Sequence, residues 1–356
     1  VPTRRTDLLE LTAELCAVAS PSLEEAALAD LVEARLRALP LEVRRDGANL
    51  VAATRLGRAR RVILGGHLDT VPPDGNLPPR YDGDRLVGLG AADMKGGLAV
   101  MLALAERLPA RSPQHDVTLV FYAGEEVADE HNGLRHLFAT HPDWLDGDLA
   151  VLLEPTAGWV EAGCQGTLHL EVTYRGRRAH TARPWTGVNA IHRLGAAVAR
   201  VADHQPDEVV VEGLRYREAL QAVRVSGGVA NNVVPDEATL VVNRRFAPTR
   251  TVAEAVADTE ALFDDADERR VVTASPPAPP ALGDPLVAEF VGRFDLGVRP
   301  KLGWTDVARF AAAGVPALNF GPGDPDLAHR RDESVDRSAL EGTYAVLAAF
   351  LGVGGR

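Results

Sequence analysis

Cysteine and lysine are nearly missing from this chain of 356 residues. Its two cysteines, Cys16 and Cys164, lie far apart and form no C-x-x-C pair, which excludes both a disulfide framework and a thiolate zinc knuckle. Any metal must then be held by histidine and carboxylates. Of 38 basic residues only Lys95 and Lys301 are lysines, a bias that GC-rich coding would produce. No run of about 18 apolar residues occurs, and the opening VPTRRTDLLELTAEL turns acidic and helix-like at once. Neither a membrane span nor a signal peptide is read there, and a cytoplasmic location is expected. Basic charge is also short: the net charge of −12 argues against nucleic acid, which needs a clustered basic surface. A small anionic substrate remains compatible if a few arginines line its pocket.

What is present describes a globular α/β protein, 46% hydrophobic and 25% charged, long enough for one large or two ordinary domains. RVILGG (61–66), DVTLVFY (116–122) and DLAVLL (148–153) are short apolar runs expected of strands buried on both faces. KGGLAVMLALAERL (95–108) carries apolar residues at helical spacing, and Ser22 with Glu25 predicts a capping box ahead of an amphipathic helix. From about Thr167 the pattern changes to the apolar–polar alternation of strands with one wet face, in TLHLEVTYRG and EATLVVNRRF, with helices near 188–202 and 251–263. The Pro-rich SPPAPPALGDP (275–285) reads as a return linker. The expectation is a catalytic domain with a central, mostly parallel sheet flanked by helices, residues 1–166 and 276–356, interrupted by an α+β domain at 167–275.

Polar residues collect where the strand-like runs end. His67 and Asp69 follow the first, Glu125 and Glu126 the second, Glu154 the third; Asp93 precedes the long helix and His329 lies near the end of the chain. In open α/β sheets ligands bind outside the carboxyl ends of the strands. Each residue alone has a bland reading: Asp93 as a helix cap, a strand-end His as a satisfied polar group, the Glu pair as solvated surface. Together they are several acids among glycines and apolar residues, and burying such a group without cations is prohibitively costly. Three carboxylates (Asp93, Glu126, Glu154) and two imidazoles (His67, His329) are too many for one catalytic zinc, but serve two divalent ions if Asp93 bridges. Asp69, two residues after His67 on an extended chain, suits the other ring N–H of that histidine. Glu125 is surplus to the ligand count and is the natural general base. GLGAAD lacks the third glycine and the later acid of a dinucleotide fingerprint.

GGHLDTVP, GLGAADMKGGLA, AGEEV, LLEPT, RGRRAHTARPWTGVNAI, ANNVVPDEATLVVNRRF and HRRDE together resemble the dizinc peptidase and deacylase superfamily over nearly the whole chain. GCQGTL, GWTDVARF and NFGPGDPDLAH bring the resemblance nearest to the actinobacterial desuccinylases. It implies hydrolysis of N-succinyl-L,L-diaminopimelate, with acetylornithine deacetylase, dipeptidase or carboxypeptidase activity as alternatives on one scaffold, and a non-catalytic binding module as a remote one. It further implies that His67 and Glu154 bind one zinc, Glu126 and His329 the other, with cobalt or manganese as substitutes. Asp93 would bridge them through a cis Asp93–Met94 bond, with Glu125 as base and Asp69 supporting His67. His180 would reach a substrate oxygen, Asn232 and Arg245 would bind substrate, and Gly303 and Trp304 would lie in a substrate-contacting loop. The inserted domain would act as lid and homodimer interface.

Overall fold

The computed structural model describes residues 6–354. The described residues divide into two units, one comprising residues 6–162, Ala281–Arg299 and residues 309–354, the other Gly163–Pro280 with Pro300–Ala308.

The larger unit is built on an eight-stranded sheet. Its order is Glu42–Asp46, Asn49–Ala53, Asp116–Tyr122, Arg61–His67, Leu149–Leu152, Ala317–Asn319, Val160–Ala162 and Val298–Pro300. The central strands are parallel, Arg61–His67 lying between and parallel to Asp116–Tyr122 and Leu149–Leu152, while pairs toward the edges are antiparallel. Asp116–Tyr122 is buried throughout, which is why it reads as an uninterrupted apolar run. Its one acid, Asp116, accepts hydrogen bonds from Thr54 Oγ1 and the N–H groups of Leu56 and Arg58. The chain leaves Arg61–His67 toward one neighbour and returns to the other side of it, so the sheet changes winding direction where these three strands end. That switch point positions the site.

Helix Gly96–Ala105 is buried along its whole length. A side chain at Gly97 would stand 2.5 Å from the Leu153 carbonyl oxygen, so glycine alone lets the helix rest against the strand exit that carries Glu154. Helix Ala26–Arg37 begins without the expected capping box. Ser22 instead donates to the Asp69 carboxylate at 2.8 Å, and Glu25 turns inward to accept from the N–H groups of Leu23 and Gly124. The helix starts only at Ala26, so Ser22 lies three residues before its N-cap and out of reach of the helix N–H groups, and its hydroxyl proton goes to Asp69. A small antiparallel sheet of Arg80–Asp82, Arg85–Val87 and Ser334–Asp336 brings the end of the chain beside the segment before Asp93.

The smaller unit has a four-stranded antiparallel sheet, ordered Ala219–Gly227, Glu237–Phe246, Gly166–Arg175 and Glu268–Ser275, with helices Ala190–Asp203 and Val252–Ala261 packed on it. Leu170, Val172, Tyr174, Leu240 and Val242 meet Leu194 and Val201 in its core. The Glu268–Ser275 strand escaped periodicity because it is an edge strand exposed over most of its length. Among the described residues no helix is long and apolar enough to cross a membrane.

Candidate metal centre

The sheet delivers the acids and imidazoles of the larger unit to one place. His67 ends its strand, Glu125 and Glu126 lie just beyond Tyr122, and Glu154 lies just beyond Leu152. Asp93 sits in an irregular turn, Ala91–Lys95, that departs from helical angles at Asp93 and Met94, and the Asp93–Met94 peptide is cis. The turn closes through Gly90, in the left-handed region at φ 77°, whose carbonyl accepts from Lys95 N–H at 2.7 Å. Gly66 has no side chain, and the space a Cβ would need is filled by Met94, whose Sδ accepts from His67 N–H. His329 is held at φ 62°, a left-handed conformation uncommon for non-glycine residues and found at functional sites.

The geometry is two-sided about Asp93. Its Oδ1 lies 3.1 Å from His67 Nε2 and its Oδ2 lies 3.5 Å from His329 Nε2. Glu154 Oε2 is 3.9 Å from His67 Nε2, and Glu126 Oε1 is 2.7 Å from His329 Nε2. His67, Asp93 and Glu126 offer one atom each, all within 4.8 Å of one another. Each imidazole thus has its own glutamate and its own oxygen of a shared aspartate.

This donor set fits divalent cations. The His67 Nδ1 donates to the Asp69 main-chain carbonyl at 3.0 Å, with the Asp69 carboxylate at 3.5 Å, so the neutral ring keeps its lone pair on Nε2, facing the acids. Asp69 therefore meets His67 through its carbonyl first. Its carboxylate accepts from the N–H groups of Glu125 and Glu126, both at 3.0 Å, and fixes the backbone that carries them. Nitrogen and oxygen donors without thiolate suit zinc, cobalt or manganese.

The electrostatics point the same way. Hydrogen bonds to Asp93 and Glu126 raise His329 to about 10. His67, which burial alone would drive down, is held well above its ordinary value by Asp69 and Asp93. Burial opposes ionisation of Asp69 and Asp93 too, yet His67 and backbone N–H groups keep Asp69 at about 2, and His329 and His67 keep Asp93 low. The acids draw positive charge onto the imidazoles, and divalent cations answer the same demand.

Two residues of this region carried no role in the sequence reading. Glu333, 1% exposed, accepts from Gly90 N–H on Oε2 at 3.0 Å, and from Ala92 and Asp93 N–H on Oε1 at 3.0 and 2.9 Å. One carboxylate thus ties the Asp93 turn to the segment bearing His329; burial pushes it up to about 7 despite those bonds. Its only signal was its place in HRRDE. Lys95 is fully buried and donates to the Val18 carbonyl at 2.8 Å, where burial lowers its pKa.

The remaining sequence candidates lie in the smaller unit. His180 is exposed, its Nδ1 accepting from Ala182 N–H at 3.0 Å, and the neighbouring Thr181 N–H donates to the Asn232 carbonyl. Arg245 is half-buried on the sheet face opposite Arg244. Trp304, next to Gly303, donates from Nε1 to the Pro276 carbonyl.

Comparison with known proteins identifies the family. The chain is 50% identical over 351 residues to a Mycobacterium tuberculosis protein provisionally named succinyl-diaminopimelate desuccinylase, covering 98% of this chain and 99% of that one. It is 45% identical to the Corynebacterium glutamicum succinyl-diaminopimelate desuccinylase, covering 97% and 96%. A Staphylococcus aureus tripeptidase structure shares the fold at a TM-score of 0.81 and 21% identity, covering 98% of each chain. With residues 63–352 matching its family model, the chain belongs to peptidase family M20/M25/M40.

Proposed function

We propose that the chain is a metal-dependent amide hydrolase that releases succinate from N-succinyl-L,L-2,6-diaminopimelate, yielding L,L-diaminopimelate for lysine and peptidoglycan synthesis in the cytoplasm. The observation that carries hydrolysis is Asp93, which turns one oxygen to each of two His–Glu pairs. The choice of substrate is supported by the names of the two nearly full-length relatives.

His67 and Glu154 would hold one ion, His329 and Glu126 the other, and Asp93 both, with zinc as the metal. Bound there, the ions would polarise the amide carbonyl and make water acidic enough to attack it. Glu125 would take the proton of that water and return it to the departing amine. Asp69 supports this base by anchoring the N–H groups of Glu125 and Glu126. Because His180 Nδ1 accepts from Ala182, its neutral ring carries the proton on Nε2. That donor would steady negative charge on the carbonyl oxygen, an effect worth on the order of 3 kcal/mol. Asn232 and Arg245 would take substrate polar groups, and Gly303 and Trp304 would shape the pocket wall.

A homodimer would form through the smaller unit. Ala219–Gly227 is an edge strand with Val223 and Val225 more than half exposed, features that suit pairing with a second copy. The substrate is tested by comparing initial rates of the zinc- or cobalt-loaded enzyme on N-succinyl-L,L-diaminopimelate and N-acetylornithine. A clear preference for the succinylated compound is expected; equal or inverted rates overturn the assignment.

A further inference from the structure

We infer that a cavity within the smaller unit, walled by Arg217 and Arg245, binds two carboxylates of one substrate molecule, and that Arg217 sets the preference for the second. This rests on the desuccinylase reading and extends it to a residue with no role so far.

The cavity, about 390 Å³, is lined by Gln165, His204, Arg217, Leu220, Arg245 and Leu302 among others. Small-molecule sites begin near this size. Its one acid is Glu218, which is already committed. Glu218 Oε1 accepts from Ala247 N–H and Arg250 Nε, both at 3.0 Å, and Oε2 accepts from Arg244 Nη2 at 3.3 Å. Among the described residues neither Arg217 nor Arg245 is ion-paired with an acid. That is unusual in a chain of net charge −12, where most arginines have an acid at hand.

The sheet explains why Arg245 has no counter-charge. It is flanked by Ala219 on one strand and Thr167 on the other. Next along lie Asn243 and His169, which spend their polarity on each other at 2.9 Å and on Thr167 and Thr273. Burial and the Arg245 charge keep His169 below its ordinary pKa, so it brings no negative charge. Glu171, further along, is taken by Arg224 and Arg270. Burial alone therefore lowers the Arg245 pKa, with only the Cys164 thiol opposing it.

Arg217 reaches the same cavity from a fixed backbone. Gln165 Nε2 donates to its carbonyl at 2.9 Å, and the next residue's N–H donates to Asp207 O at 2.8 Å. Two guanidinium forks on one cavity, with its only acid spent, suit a dianion better than a monoanion, because each fork can engage one carboxylate through paired charge-assisted bonds. The ligand class is an N-acyl amino acid bearing carboxylates on more than one arm.

The test compares wild type, Arg217→Ala, Arg217→Lys and a control, Arg215→Ala, whose side chain is exposed and paired with Glu208. Three substrates are used: N-succinyl-L,L-diaminopimelate, Nα-succinyl-L-lysine, which lacks the distal carboxylate, and Nα-butyryl-L,L-diaminopimelate, which lacks the acyl one. Arg217→Ala should lower kcat/KM for the first by about 10- to 100-fold, nearly all in KM, the range expected for one charge-assisted interaction. It should also collapse discrimination against one of the two analogues, and which one identifies the carboxylate Arg217 holds. Arg217→Lys should fall between, and the control should match wild type. Wild-type KM and undiminished discrimination in Arg217→Ala overturn the inference. If wild type hydrolyses none of the three, the desuccinylase reading falls instead, and calorimetric titration judges the cavity alone. A tenfold preference for glutarate over butyrate, lost in Arg217→Ala, supports it, and no preference in wild type overturns it.

Discussion

Glu333 offers the sharpest test of how the metal centre is held, because it touches Asp93 only through the backbone. Three buried N–H groups, of Gly90, Ala92 and Asp93, point at its two oxygens. Glu333→Gln keeps the shape. The amide oxygen can retain the two bonds at Oε1, but the NH2 then faces Gly90 N–H, so one charge-assisted bond is lost and one donor is stranded at a cost of about 2 kcal/mol. Glu333→Ala strands all three at about 1–3 kcal/mol each, partly offset by removing a buried carboxylate, for a net loss of about 4 kcal/mol. At roughly 3 °C per kcal/mol for a unit of this size, the melting temperature should drop by about 6 °C for Gln and about 12 °C for Ala. Because the stranded donors include Asp93 N–H, the visible spectrum of cobalt-substituted protein should change as well, and metal should bind more weakly in equilibrium dialysis. Both variants melting within a degree of wild type, with an unaltered cobalt spectrum, would refute the positioning role.

Three further outcomes are expected. Glu125→Gln should lower kcat by about 10²- to 10⁴-fold with unchanged metal content by elemental analysis, as befits a base outside the ligand set; full activity sinks the assignment. In chelator-treated protein, His329, raised to about 10, contributes stability that is complete below its unfolded value near 6.5 and lost as pH rises through 10. The melting temperature should therefore fall across that window, and His329→Gln should flatten the slope; parallel profiles contradict the coupling to Asp93 and Glu126. Val225→Glu, on the exposed edge strand, should turn a dimer into a monomer by light scattering, and a wild-type monomer removes the dimer proposal.

Much of the architecture could be read locally. Asp116–Tyr122 and Glu237–Phe246 coincide with the apolar and alternating runs that announced them, because burial on two faces or one writes itself into consecutive residues. The edge strand Glu268–Ser275 did not, since an exposed strand needs no apolar pattern. Ser22 was misread because a serine three residues before a glutamate caps only if the helix begins at the next residue; here it begins at Ala26, and the hydroxyl donates to Asp69, 47 positions away.

Sequence alone determined the chemistry available, imidazole and carboxylate without thiolate, and its placement at the ends of buried strands, because residue type and periodicity are local properties. The pairing of each imidazole with its glutamate came from the family resemblance and not from local pattern; only the tertiary structure decided which oxygen of Asp93 faces each imidazole, and that Glu333, 240 positions along the chain, holds the Asp93 turn. Those choices depend on contacts between segments that share no local pattern, and they are made when chain folding buries the acids and each must find its partners.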